Sequence, residues 1–143
     1  FIHAGQEFYR TKGLEENTYN LPDNLNQLDW TSLSKCQEEI TFLKELIAYR
    51  KSQPLLRLRK GQEIRDYCDL KWLSDHHFIY TIEKDRKKIT ILVNIGDQEM
   101  TYHQPNDSQL LFAYPQAKLQ TSIPKGKELS LSAHSWILLY EGD

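Results

Sequence analysis

Apolar and polar residues alternate along most of the second half of the chain, which is the two-residue period of a β-strand with one covered face. The alternating runs lie at 78–83, 89–95, 110–114 and 129–133, and a last apolar run lies at 136–140. Turn-forming residues separate them, at 84–87, 96–97, 105–107 and 124–126. Roughly seven short strands with no helix between them predict an antiparallel β-sandwich or barrel over residues 55–143.

The middle of the chain has a helical period instead. Its apolar residues recur every three or four positions, at Cys36, Ile40, Leu43, Leu46 and Ile47. Acidic residues lie early in this stretch and basic residues late, as the helix dipole favours. Ser34 and Gln37 have the spacing of a capping box, and Pro54 ends the helix because the residue before proline avoids the α region. These signals predict one helix within residues 31–53.

The first 30 residues combine a short apolar strand, Phe1–Phe8, with a loop at 11–30 that is rich in Asn, Asp and Pro. A loop of this length without structure of its own is usually functional or disordered. The whole chain is therefore interpreted as an α+β protein. We expect a boundary at 54/55 between a strand–loop–helix segment and an all-β domain.

Composition excludes several kinds of partner. The chain has 143 residues and a formal net charge of −2, which gives no strong attraction to nucleic acid or an anionic membrane. No apolar run approaches the roughly 18 residues that span a bilayer. Cys36 and Cys68 are interpreted as reduced, mostly buried thiols, with a single disulfide between them as the open alternative. Reduced thiols favour a cytoplasmic over a secreted protein. No metal-ligand spacing is present, and we predict no cofactor.

The loop at 11–30 concentrates groups that suit a sugar. Amide and carboxylate groups can bridge neighbouring hydroxyls at the rim of a sugar ring, and an aromatic side chain can stack on its C–H face. The same residue types also occur in any turn-rich loop, for backbone reasons. Composition alone leaves these two interpretations open.

An ordered string of residues in this region resembles the pullulanases, the type I debranching enzymes of the alpha-amylase superfamily. The matching residues fall on His3–Phe8, Arg10–Lys12, Asn17–Asn20, Asp23 and Asn26, with a closing Asp29-Trp30. One clear departure is Thr18, where that family has Ser, and the hydroxyl is kept. The close match covers about 30 residues, and the helix and the β-rich tail agree only in architecture.

The resemblance implies a retaining glycoside hydrolase that cleaves α-1,6-glucosidic branch links in pullulan, amylopectin or limit dextrins, with two carboxylates doing the chemistry. It also implies that residues 1–54 are the last strand, substrate-side loop and last helix of a (β/α)8 barrel. We expect the chain to be a C-terminal piece that contains none of the catalytic acids and is inactive alone. An unpaired strand Phe1–Phe8 would then favour self-association.

The resemblance makes six residues candidates for contact with an α-glucan substrate: Arg10, Asn17, Tyr19, Asn20, Asp23 and Asn26. Several of them have a second interpretation from the residues alone. Asp23 and Asn26 could hold the turns of the loop, and Arg10 or Lys12 could pair with Glu7, which we interpret as a structural carboxylate. Trp30 is interpreted as a buried closing aromatic, and Trp72 and Trp136 as core.

A stand-alone carbohydrate-binding module is the alternative function. It needs two or three coplanar exposed aromatic side chains on the β domain. The candidates are Phe78, Tyr80, Tyr102, Phe112 and Tyr114, and their two-residue period predicts that most of them point inward. A non-catalytic interaction domain would leave the ordered string of matching residues unexplained.

Overall fold

The chain folds into two compact units, Phe1–Tyr49 and Arg50–Asp143. The fold is known from a computed structural model, which describes residues 2–115 and 118–142 and, at Lys118, the backbone alone. The division between the units falls a few residues before the boundary predicted at 54/55. The assignment of the two parts to a barrel end and a sandwich stays a prediction.

The first unit is built from short helical turns around one longer helix. Its elements are a 3-10 helix Gln6–Phe8, helix α1 Asp23–Asn26, a 3-10 helix Trp30–Lys35 and helix α2, which starts in this unit and runs over Gln37–Ser52.

The predicted strand Phe1–Phe8 is wrong for the described residues 2–8, which form a turn and the first 3-10 helix. The cause is local, because Gly5 and Tyr9 take the left-handed conformation at φ values of 89° and 58°. Backbone bonds then close between near neighbours, with Phe8 N–H donating to the Gly5 carbonyl over 3.2 Å. The strand edge on which the predicted self-association depended is therefore missing here, and self-association itself stays a prediction.

Helix α2 confirms the helical period, but it does not begin with a capping box. Ser34 lies inside the preceding 3-10 helix, where its hydroxyl donates to the Thr31 carbonyl over 3.0 Å. The Gln37 side chain donates to the Leu33 carbonyl over 2.6 Å instead of reaching back to a cap. Ile40 is the buried member of the apolar stripe, and Ile47 is exposed.

The second unit contains a 3-10 helix at Pro54–Arg57, helix α3 at Gly61–Tyr67 and eight strands in the described residues. The strands are β1 Cys68–Trp72, β2 His77–Lys84, β3 Lys87–Asn94, β4 Met100–His103, β5 Ser108–Tyr114, β6 Lys118–Ile123, β7 Glu128–Leu131 and β8 Ser135–Glu141. Helix α3 corrects the prediction that residues 55–143 are all-β, although it precedes the first strand and does not lie between strands. Its seven residues are too few to show a helical period against the β pattern around them.

All strand pairs are antiparallel, as the period predicted. Six strands form one sheet in the order β1-β2-β3-β8-β5-β6, and β4 and β7 form a two-stranded sheet. The β2–β3 hairpin turns at Asp85 and Arg86, which both have left-handed φ values, 54° and 62°. This conformation matches the strand twist of a two-residue hairpin and confirms the turn predicted at 84–87.

Side chains from both sheets share one hydrophobic core. Its buried members are Leu92, Met100, Ala113, Ile123, Leu131, Ile137 and Leu139. The prediction that Trp72 belongs to the core is wrong, since 54% of it is exposed. Trp72 lies on β1, an edge strand of the six-stranded sheet, where a side chain has strand neighbours on one side only.

Asn94, at the end of β3, is a buried polar centre of the second unit. Its amide nitrogen lies 2.8, 3.2 and 2.9 Å from the carbonyl oxygens of Gln98, Leu131 and Ser132, and since it carries two hydrogens, one of them is shared between two of these acceptors. Its amide oxygen accepts from the Gly96 N–H over 2.9 Å. Only 1% of Asn94 is exposed, so its side chain satisfies backbone groups from inside the fold.

Candidate functional site

The candidate site is the loop at 11–30. The chain enters this loop through a turn that requires glycine. Gly5 has a left-handed φ, and a Cβ there would lie 2.7 Å from Arg10 Cβ. The Arg10 N–H donates to the Gly5 carbonyl over 2.9 Å, and Glu7 accepts from the Gly5 N–H over 3.1 Å. Glu7 is thus held by the backbone. Arg10 and Lys12 donate to other oxygens of the loop, so the alternative in which one of them pairs with Glu7 is not found among the described contacts.

Asn26 is the hydrogen-bonding centre of the loop. Its amide nitrogen donates to the carbonyls of Thr18 and Leu21, over 2.7 and 3.0 Å. Its amide oxygen accepts from the Thr18 hydroxyl at 2.9 Å and from Lys12 Nζ at 3.1 Å. The Arg10 guanidinium donates to its backbone carbonyl. An Asn side chain offers two donor hydrogens and two acceptor lone pairs, so all four positions are used within the loop.

The residues that Asn26 holds form a tight turn. Leu21 N–H donates to the Thr18 carbonyl over 3.0 Å, which makes Tyr19 and Asn20 the two central residues of a β-turn. Thr18 is buried behind the turn, whereas 83% of Tyr19 is exposed. The loop therefore presents an aromatic side chain and an amide side by side at its tip.

The six predicted site residues divide into two groups. Asn17, Tyr19, Asn20 and Asp23 are exposed. Arg10 and Asn26 are half-buried and hold the loop together. Arg10 also lines a surface cavity of ≈ 220 Å³ with Tyr9, Asn24, Gln27 and Asp29 among its other walls. The sequence did not predict that Lys12 and Thr18 support the loop. Their shared partner, Asn26, lies 14 and 8 residues further along the chain, and no local spacing signals such a contact.

Asp29 closes the loop at the start of the second 3-10 helix. One carboxylate oxygen accepts from the N–H and hydroxyl of Thr31, and the other accepts from the Ser32 hydroxyl. These hydrogen bonds lower the pKa of Asp29 below its usual 3.8, because they favour the charged form. The Trp30 ring lies 6.0 Å from the Phe8 ring, but 61% of Trp30 is exposed, so its predicted burial is wrong.

The described parts of the chain give two further observations. No helix in residues 2–115 and 118–142 is long and apolar enough to cross a membrane. In the same residues, no three His, Cys, Asp or Glu side chains are grouped so that they could hold a metal ion.

Curated relatives match the sequence, although no protein-family model matches it. The chain is 35% identical to a pullulanase of Bacillus subtilis (strain 168) over 112 residues, which cover 75% of this chain and 16% of that enzyme. It is 41% identical to an isoamylase of a Flavobacterium species over 56 residues, covering 39% of this chain and 7% of the isoamylase. The chain thus spans less than a fifth of the curated pullulanase.

The fold agrees with the sequence comparison. A solved structure of the type I pullulanase of Bacillus subtilis str. 168, in complex with maltose, matches all of this chain with a TM-score of 0.86 and 30% identity. The match covers 21% of the solved chain. In sequence and in fold, the chain belongs with the pullulanases, and it corresponds to about a fifth of such an enzyme.

Proposed function

We propose that the chain is the C-terminal part of a retaining glycoside hydrolase that cleaves α-1,6-glucosidic branch links in pullulan, amylopectin or limit dextrins. The observation that carries the proposal is the 35% identity with a pullulanase over 112 residues. The catalytic acids come from another part of the enzyme. This chain supplies one wall of the substrate cleft and an all-β domain with a structural role.

The exposed tip of the loop is the proposed contact with the α-glucan. The Tyr19 ring offers a face on which the C–H side of a glucose unit stacks. The Asn20 amide, with Asn17 and Asp23 nearby in the loop, donates to and accepts from sugar hydroxyls. Arg10 and Asn26 support this surface from behind, since the Asn26 side chain has no hydrogen-bonding position left for a ligand.

The burial of aromatic side chains on the β domain argues against the alternative of a stand-alone carbohydrate-binding module. Of the five aromatic side chains that could form its platform, Tyr114 is exposed, Phe112 is fully buried and the other three are half-buried. Among these five candidates, one exposed ring does not supply the two or three coplanar rings that such a module needs, and the exposed Trp72 ring is tilted by 51° to its neighbour Phe78.

The isolated chain is expected to be inactive, because retaining hydrolysis needs a nucleophile and an acid in one cleft. The purified 143-residue chain is expected to release no reducing ends from pullulan under conditions in which the Bacillus subtilis pullulanase does so. Release above a buffer blank would contradict the proposal that the catalytic acids lie elsewhere.

The loop contacts are tested in a hybrid enzyme, in which this chain replaces the structurally matching segment of the Bacillus subtilis pullulanase. We expect Tyr19→Ala and Asn20→Ala each to lower kcat/KM on pullulan about tenfold, the effect of losing one contact of about 1.4 kcal/mol. Gln120→Ala, an exposed change on β6, is the control and leaves kcat/KM within twofold of the unmodified hybrid. Unchanged kinetics in both loop variants would remove the loop from the substrate cleft.

A further inference from the structure

Lys12 is a charged residue that the proposed contacts do not use. It lies at the base of the loop, half-buried, and its ammonium donates to the Thr18 hydroxyl and to the Asn26 amide oxygen. Both acceptors are neutral oxygens. Hydrogen bonds from an ionised donor are roughly twice as strong as those between neutral groups, so the contacts of Lys12, like that of Arg10 with the Asn26 carbonyl, are stronger than the neutral bonds of this network.

The Lys12 contacts bear directly on the shape of the exposed turn. The Thr18 hydroxyl accepts from Lys12 and donates to Asn26 Oδ1 over 2.9 Å, and such chains of hydrogen bonds strengthen one another. With its oxygen held by these two donors, the Asn26 amide nitrogen faces the Thr18 and Leu21 carbonyls. Those carbonyls belong to the two residues that flank the tip.

We propose that Lys12 is a positioning residue for α-glucan binding, which acts through Thr18 and Asn26 to fix the β-turn that presents Tyr19 and Asn20. This inference rests on the proposed function of the loop and adds a residue that does not touch the substrate. Fixing a turn before the ligand arrives lowers the free energy needed to order it on binding. The effect therefore falls on substrate binding and thus on KM.

Thr18 provides an independent way to interrupt the same network. Valine has the shape of threonine without the hydroxyl, so Thr18→Val removes the acceptor for Lys12 and the donor to Asn26. Thr18→Ser keeps the hydroxyl and serves as the conservative variant. Lys44→Met is matched to Lys12→Met, because Lys44 is an exposed lysine on α2 in the same unit.

The first measurement is amide hydrogen exchange of the full 143-residue chain by NMR, observed at Leu21. Lys12→Met and Thr18→Val are expected to accelerate exchange at Leu21 about tenfold or more, since the turn opens more often. Thr18→Ser and Lys44→Met are expected to leave it within about twofold. Unchanged exchange in Lys12→Met and Thr18→Val would overturn the inference about Lys12 and leave the proposed function standing.

The second measurement is the hydrolysis of pullulan by the hybrid enzyme. Lys12→Met and Thr18→Val are expected to raise KM about tenfold with kcat within about twofold, and Thr18→Ser is expected to restore KM. Faster exchange at Leu21 without a change in KM, in an enzyme that Tyr19→Ala impairs, would overturn the positioning role. If Tyr19→Ala and Asn20→Ala also leave the kinetics unchanged, the proposed function of the loop fails and the inference falls with it.

Discussion

Replacing Asn94 with Ala is expected to lower the free energy of unfolding of the second unit by about 3 kcal/mol, since the hydrogen bonds of its two N–H donors and its amide oxygen contribute about 1 kcal/mol net each. The substitution leaves the carbonyls of Gln98, Leu131 and Ser132 and the Gly96 N–H without this partner, and the contacts with Leu131 and Gly96 are buried. These groups lie in two different parts of the chain, after β3 and at the end of β7. Urea unfolding followed by near-UV circular dichroism measures the loss.

Two companion variants sharpen this test. Asn94→Asp keeps the shape and an oxygen that can accept from Gly96 but loses the donated bonds, so it is expected to destabilise the unit at least as much at neutral pH. The reason is that the second oxygen of a buried carboxylate then faces backbone carbonyls instead of a donor. Asn24→Ala alters an exposed amide and is expected to change stability by less than about 0.5 kcal/mol. A loss below about 1 kcal/mol in Asn94→Ala would show that water reaches the site.

Replacing Leu139 with Ala is expected to lower the free energy of unfolding by about 3 kcal/mol, within the range for leucines in a closed core. Leu139 lies on β8 at the centre of the six-stranded sheet, is 0% exposed and belongs to the core cluster. The loss combines the missing transfer free energy of the side chain with the cavity left behind. The same urea experiment measures it.

The matched control is Leu14→Ala, because Leu14 is 100% exposed in the first unit. This variant removes the same atoms from a place where they bury no surface, and its stability is expected to stay within about 0.5 kcal/mol of the original. Similar losses in Leu14→Ala and Leu139→Ala would contradict the burial that the structure assigns to them.

The strands that the sequence predicts best are those with one covered face. Strand β3 lies inside the six-stranded sheet, and its burial alternates from Thr90 to Asn94, although Ile89 next to Thr90 is buried as well, so a two-residue period is visible in the residues. Strand β1 is an edge strand whose residues are mostly exposed, and strand β4 has four residues. Neither strand shows enough alternation to be recognised from the sequence. Helix α3 is too short to be recognised from its period.

Backbone conformation explains the mistaken strand in residues 2–8. A run of apolar residues predicts a strand, but a strand needs a neighbour with which to exchange hydrogen bonds. The left-handed Gly5 and Tyr9 instead close the chain on itself. Pattern alone does not show φ, and Tyr9 is a residue type for which the left-handed region is rare.

The sequence predicts which segment carries the candidate site, but not which of its residues face outward and which support the loop. The polar loop and the ordered string of matching residues selected the segment to which the proposed function assigns the substrate contacts, but the residues alone left open whether Arg10, Asp23 and Asn26 hold the loop or meet the substrate. Which amide faces outward depends on contacts such as that of Asn26 with Thr18, eight residues earlier in the chain. Such contacts are a property of the folded loop and leave no periodic signal.

The saturated amide of Asn26 has a consequence for protein engineering. Because the Asn26 amide holds the carbonyls of Thr18 and Leu21 from behind the turn, the side chains at positions 19 and 20 contribute little to the fold of the loop. A combinatorial library confined to these two positions would vary the surface proposed to meet the carbohydrate while the scaffold stays constant. The loop thus separates positions open to substitution from the positions that hold the turn, Thr18, Leu21 and Asn26.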